Sequence, residues 1–176
     1  VLDDSFEKAL AGDLLSSFTG HEQNLFVTLQ VSQPVLNQAP LLQDILDLLA
    51  WSGSAFMGIS LMATILDKKE SELYHPLGLG TSLRLLHKAP GGDRYDIHRL
   101  VRKVRQGQFS ITDKAQWVTD VCQRLGHWFE EKREEFTELP DFEAEIDHLK
   151  EWLNHVSSYS SLHTVRLTWL QAYPMF

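Results

Sequence analysis

The strongest constraint in this chain is a change of hydrophobic period. From Pro40 to Leu77 apolar residues recur at helical spacing. Between Leu83 and Ile97 they recur every second residue, and Pro90-Gly91-Gly92-Asp93 splits that stretch in two. A repeat of 3.6 lines one face of a helix and a repeat of two lines one face of a strand. Leu83 and Leu85 around Arg84 form the first short run, and Arg94-Tyr95-Asp96-Ile97 forms the return. Two such runs around a Pro-Gly-Gly-Asp turn read as a β-hairpin. The chain is therefore expected to be mainly α, with one hairpin set among helices.

The helices on either side can be read in order. Phe6, Leu10 and Leu14 lie four apart and mark a helix from Ser5 to Leu15. Leu25, Val27, Leu29 and Val31 alternate, which by period alone says strand. Pro40 opens the clearest helix, with Leu41, Leu42, Ile45, Leu48 and Leu49 on one face, and Gly53 ends it. Proline in the first turn loses no hydrogen bond there. After a short turn at Phe56-Met57-Gly58, Ser60 to Leu66 is helical with Met62, Ile65 and Leu66 inward. A third helix begins near Glu70 with Leu73 and Leu77. Pro76, Gly78 and Gly80 predict that it is short or irregular. His98 to Gln106 is helical again, with Leu100, Val101 and Val104 inward. Three long helices follow, carried by Trp117, Val121, Leu125, Trp128 and Phe129; by Phe142, Ile146, Leu149, Leu153 and Val156; and by Val165, Trp169, Leu170, Tyr173 and Phe176. Glu130 to Pro140 is a charged loop between the first two. Helices joined by short loops suggest antiparallel helical hairpins.

Three helices followed by a two-stranded wing is the layout of a winged helix. Here the residues resemble a family. Pro40-Leu-Leu-Gln-Asp-Ile-Leu-Asp-Leu-Leu-Ala-Trp51, Ile59-Ser-Leu-Met-Ala-Thr-Ile-Leu66, the hairpin, and Tyr95-Asp-Ile-His-Arg-Leu-Val101 are similar to the winged-helix domain of STAND-class signalling NTPases, the NB-ARC and AP-ATPase proteins. The resemblance covers about residues 36–106. Its most specific element, His98-Arg99-Leu100-Val101, is similar to the family's Met-His-Asp motif in its His-Arg-Leu-Val form. Ile97 stands where that motif has Met, and Arg99 where it has Asp.

The resemblance implies three parts: a helical linker subdomain over 1–36, a winged helix over 37–108, and a helical, tetratricopeptide-like arm over 109–176. It makes Leu25–Val31 helical where the alternation says strand, and the two readings stay open. It also implies that His98 contacts the β-phosphate of ADP bound in a neighbouring nucleotide domain of the same polypeptide, and that the arm binds a protein ligand. A chain starting at Val1 and stopping at Phe176 inside an apolar helical pattern is itself expected to be a piece of something longer.

Charge and chemistry bound the function. The net charge of −8 is uneven: residues 1–80 carry −7, residues 81–105 carry +5 and residues 106–176 carry −6. A basic block between acidic flanks marks a site for one anion rather than a coat for nucleic acid. Arg94, Arg99, Arg102, Lys103 and Arg105 form that block, as a solvated face or as an interdomain docking surface. No P-loop is present: Gly53 and Gly58 have its spacing, but Ile59-Ser60 follows where Lys-Ser/Thr is needed. No enzymatic activity is expected of the chain alone, and no cofactor bound by it alone, with ADP or ATP implied for the neighbouring domain. His148 and His155 lie seven apart near Glu145 and Glu151, which reads as a solvated acidic face rather than a zinc site. Cys122, the single cysteine, reads as a small buried hydrophobe, and it and the lack of a long apolar run fit a cytoplasmic chain without a membrane span.

Two rivals remain from other classes. A DNA-binding winged helix needs cations on its recognition helix, and Glu70 to Leu79 has none. A helical-repeat adaptor for another protein would need no nucleotide partner.

Overall fold

A computed structural model describes residues 32–108, 111–132 and 142–157. The segments expected at Ser5–Leu15, Leu25–Val31 and Val165–Phe176 lie outside these. The described chain is mainly helical with one small antiparallel sheet. Its elements are α1 (Pro40–Trp51), β1 (Met57–Gly58), α2 (Ile59–Leu66), α3 (Glu70–Ser82), β2 (Leu86–Lys88), β3 (Arg94–Ile97), α4 (Arg99–Gln108), a 3-10 turn (Ile111–Lys114), α5 (Ala115–Glu131) and α6 (Phe142–Ser157).

The hairpin is where the period placed it. β2 and β3 pair antiparallel, with Leu86 opposite Ile97 and Lys88 opposite Tyr95. Gly91 turns the corner at φ 75°, a conformation that costs glycine little. Two details differ from the sequence reading. Strand β2 begins at Leu86, because Leu83 and Arg84 still belong to the turn that closes α3 and Arg84 sits at φ 58°. The stretch at Phe56-Met57-Gly58 is more than a turn: β1 pairs with β3 through Met57 and Tyr95, giving a three-stranded sheet of order β1-β3-β2.

Helix α3 is continuous over thirteen residues, not short or irregular. Leu73, Pro76, Leu77 and Gly80 fall at i, i+3, i+4 and i+7 and form its buried stripe. Pro76 thus gives up one backbone bond but buries its ring. At Gly80 an added Cβ would lie 2.7 Å from a Leu86 methyl and 2.9 Å from a Leu42 methyl. That glycine lets α3 approach α1 and β2; it does not break the helix. At the other end the Glu72 carboxylate accepts the Lys69 N–H at 2.8 Å, and Glu70 and Glu72 suit the positive end of the helix dipole.

The core is one cluster running from Leu36 to Trp152. α1 packs on α3 and α4, α2 packs on α5, and α6 lies across α5 and β1. Leu42, Ile45, Leu46, Leu48 and Leu49 of α1 are all fully buried. Cys122 is buried on α5, where burial pushes its thiol up to about 12, so it packs as an inert hydrophobe. No helix among the described residues is long and apolar enough to cross a membrane.

Candidate functional site

The junction between β3 and α4 collects most of the basic block, and its geometry follows from the chain around it. His98 is the residue between strand and helix. Its N–H donates to the Leu85 carbonyl at 3.0 Å, tying it to the turn before β2, and its carbonyl accepts the Arg102 N–H at 3.0 Å, starting α4. Its Nδ1 accepts the Leu100 N–H at 3.2 Å, so the ring caps the helix. A nitrogen that accepts cannot carry the proton. In the neutral ring the proton therefore sits on Nε2, which is the donor atom. The half-buried ring rests against His87 with centroids 5.3 Å apart.

The cations expected as one face divide into two groups. Arg99 and Lys103 are exposed on α4. Arg94, Arg102 and Arg105 turn inward and hold the chain together. Arg105 Nε and Nη2 both reach Asp47 Oδ1 at 2.7 Å, and Nη2 also donates to the Gln43 carbonyl at 3.2 Å, joining α4 to α1. Arg102 donates to the carbonyls of Ala50 at 3.3 Å, Ser52 at 2.5 Å and Gly53 at 3.3 Å, and pairs with Asp96 at 2.9 Å. It closes the C-terminus of α1, whose last carbonyls have no partner within the helix. Burial raises the Asp96 carboxyl, with the Arg102 guanidinium pulling the other way.

Arg94 reaches α6. Its Nη1 lies 2.7 Å from Glu145 Oε1, with side-chain exposures of 14% and 6%, and Nη2 donates to the Phe56 carbonyl. The same Glu145 oxygen accepts the Gly58 N–H at 3.0 Å, at the N-terminus of α2. Two glycines permit this approach. A Cβ on Gly58 would stand 2.8 Å from Glu145 Oε1, and one on Gly53 would stand 2.9 Å from the Asp147 carbonyl oxygen.

The solvated acidic face expected around His148 is therefore overturned. Glu145 is 4% exposed and His148 is 0% exposed. Beside them Trp152, also fully buried, donates Nε1 to Ser52 Oγ at 3.0 Å and meets Trp117 edge to face at 5.3 Å. His155 Nε2 lies 2.8 Å from the Trp51 carbonyl. The buried stripe of α6 is Glu145, His148, Leu149 and Trp152, one helical face at i, i+3, i+4 and i+7. Sequence reasoning gives Phe142, Ile146, Leu149, Leu153 and Val156 as the inward face. Leu149 is buried and Ile146 and Leu153 pack half-buried against the core, but Trp152 is missed, although a tryptophan three residues after Leu149 is a signal that could have found it.

One open groove of about 510 Å³ lies elsewhere, between the end of α2, the start of α3 and α5. Asp67, Glu72 and Glu131 line it together with Lys68, Lys69, Arg124 and His127. Its charges are mixed, and they point to no single ligand. Among the described residues no group of three or more His, Cys, Asp or Glu side chains could hold a metal ion. No family model, curated protein or solved structure matches this chain.

Proposed function

We propose that this chain is a non-catalytic regulatory module, a winged helix and the root of a helical arm from a STAND-type NTPase. In this reading ADP or ATP is held by a nucleotide-binding domain of the same polypeptide. His98 donates from Nε2 to the β-phosphate of ADP and stabilises the closed state. Arg99 and Lys103, one and five residues on, are exposed and would face that domain. The arm that begins with α5 and α6 takes a protein ligand.

The observation that supports the reading is the capping of α4 by His98. With Nδ1 accepting the Leu100 N–H, Nε2 carries the proton of the neutral ring. It does so at a helix N-terminus, where unpaired N–H groups and the dipole favour an anion. The DNA-binding alternative is disfavoured by α3, whose exposed residues include Glu70, Glu72, Tyr74 and His75 and no lysine or arginine.

Two measurements test this. The natural polypeptide that carries this chain should encode a P-loop ahead of Val1; its absence would reject the reading. The isolated chain, lacking a phosphate-cradling loop, should bind neither ADP nor ATP in calorimetry. Stoichiometric micromolar binding would contradict the division of labour between domains.

A further inference from the structure

We propose that α6 is a releasable strap: protonation of His148 expels the helix from the sheet and loop beneath it, while the fold formed by α1 to α4 stays closed. The proposal goes beyond the nucleotide reading and does not depend on it.

His148 is fully buried and neither of its ring nitrogens has a hydrogen-bond partner. A neutral imidazole tolerates this at a cost; an imidazolium would bury a charge and a second donor, with only the Phe56 carbonyl near enough to accept. The groups acting on it oppose that charge. Burial weighs most; the Phe56 carbonyl beneath the ring favours the proton, the guanidiniums of Arg94 on β3 and Arg102 on α4 repel it, and Asp147 on its own helix favours it more weakly. Neither guanidinium is positioned to swing away. Arg94 is held by Glu145 and the Phe56 carbonyl, and Arg102 by three carbonyls and Asp96. On the same helix Glu145 is engaged with Arg94, and Glu151 lies 3.6 Å from His155. From α5, Trp117 meets Trp152 of the same helix and carries no charge.

Burial thus lowers His148 from an ordinary 6.5 to about 4. The docked helix holds this proton less tightly than the released one. Docking is therefore fully favoured above pH 6.5 and weakens as the pH falls toward 4. The helix yields before the rest because the apolar contacts among α1, α3, α4 and the sheet need nothing from it. Leu42, Leu46, Leu77, Leu86 and Leu100 are buried among those elements. Release would uncover Arg94, which Glu145 of α6 covers.

Hydrogen exchange of the whole chain, corrected for intrinsic rates, tests this at pH 7.5 and 5.0. The opening of α6 amides should rise about thirtyfold across that interval, with α1 and α4 unchanged. In His148→Leu and His148→Gln the rise should vanish. An α6 opening that does not change, one shared equally by α1 and α4, or one that persists in a folded variant would overturn the proposal. Should both variants lose α1 and α4 protection at pH 7.5, the His148 ring resonances of the unaltered chain decide. A midpoint that tracks α6 opening upholds the strap, and one that does not overturns it.

Discussion

Asp47→Ala is expected to destabilise the fold by about 3–5 kcal/mol. Asp47 Oδ1 is the partner of both Arg105 Nε and Nη2, and the Arg105 side chain is 7% exposed. Removing the carboxylate leaves a guanidinium buried between α1 and α4 with only the Gln43 carbonyl and the Gln108 side chain as acceptors. Lys114, 3.7 Å from the other carboxylate oxygen, loses less because it is 40% exposed. The penalty comes from the stranded charge rather than from the pair's own attraction. Asp47→Ala combined with Arg105→Met should therefore recover most of the loss, since the methionine stem fills the space without a charge. Urea denaturation at pH 7.5 measures both. A loss below about 1 kcal/mol for the single variant, or no recovery in the double, would show that Arg105 finds water on its own.

Glu145→Ala should weaken the docking of α6 by a similar 3–5 kcal/mol. It removes the carboxylate that neutralises Arg94 beneath the helix and takes the acceptor from the Gly58 N–H at the start of α2. Hydrogen exchange should show α6 amides unprotected at neutral pH, with α1 and α4 still slow. Pairing Glu145→Leu with Arg94→Met should restore protection, because an apolar pair asks for no partner. Protection of α6 unchanged by Glu145→Ala would mean that Leu149 and Trp152 alone hold the helix.

The hairpin and α1 were legible because each carries a redundant local signal. Pro90-Gly91-Gly92-Asp93 sits between alternating residues, and Pro40 precedes five apolar residues on one face. Strand β1 was not legible. Two residues have no period, and Met57 is in a strand only because Tyr95 lies opposite it. Pro76 and Gly80 misled for the same reason: their local cost is offset by packing against residues far along the chain. Helix α6 shows the sharpest case. Its apolar stripe and its buried stripe differ by one residue, about 100° of helix rotation, because Arg94, fifty-one residues earlier, turns Glu145 inward. A solvent-facing carboxylate and one that holds a buried arginine look alike in one dimension. The cations divided for that reason too: Arg99 and Lys103 are exposed, and Arg94, Arg102 and Arg105 turn inward onto acceptors that no spacing rule announces. His98 was picked out by resemblance, and only the bond its Nδ1 accepts from the Leu100 N–H reveals which nitrogen donates.

The regulatory reading stands most directly on His98 in the polypeptide that carries the nucleotide domain. One charge-assisted hydrogen bond to phosphate is worth about 1.5–3 kcal/mol. His98→Ala should then shift the closed state roughly ten- to a hundredfold toward open. The measurement is the ADP off-rate of the His98→Ala polypeptide against the unaltered one, with the melting temperature of this chain beside it. The reading predicts ADP release faster by that factor, with little change in melting, since a half-buried cap costs about 1 kcal/mol to lose. An unchanged off-rate would contradict the phosphate contact, and a collapse in melting would make His98 a packing residue instead.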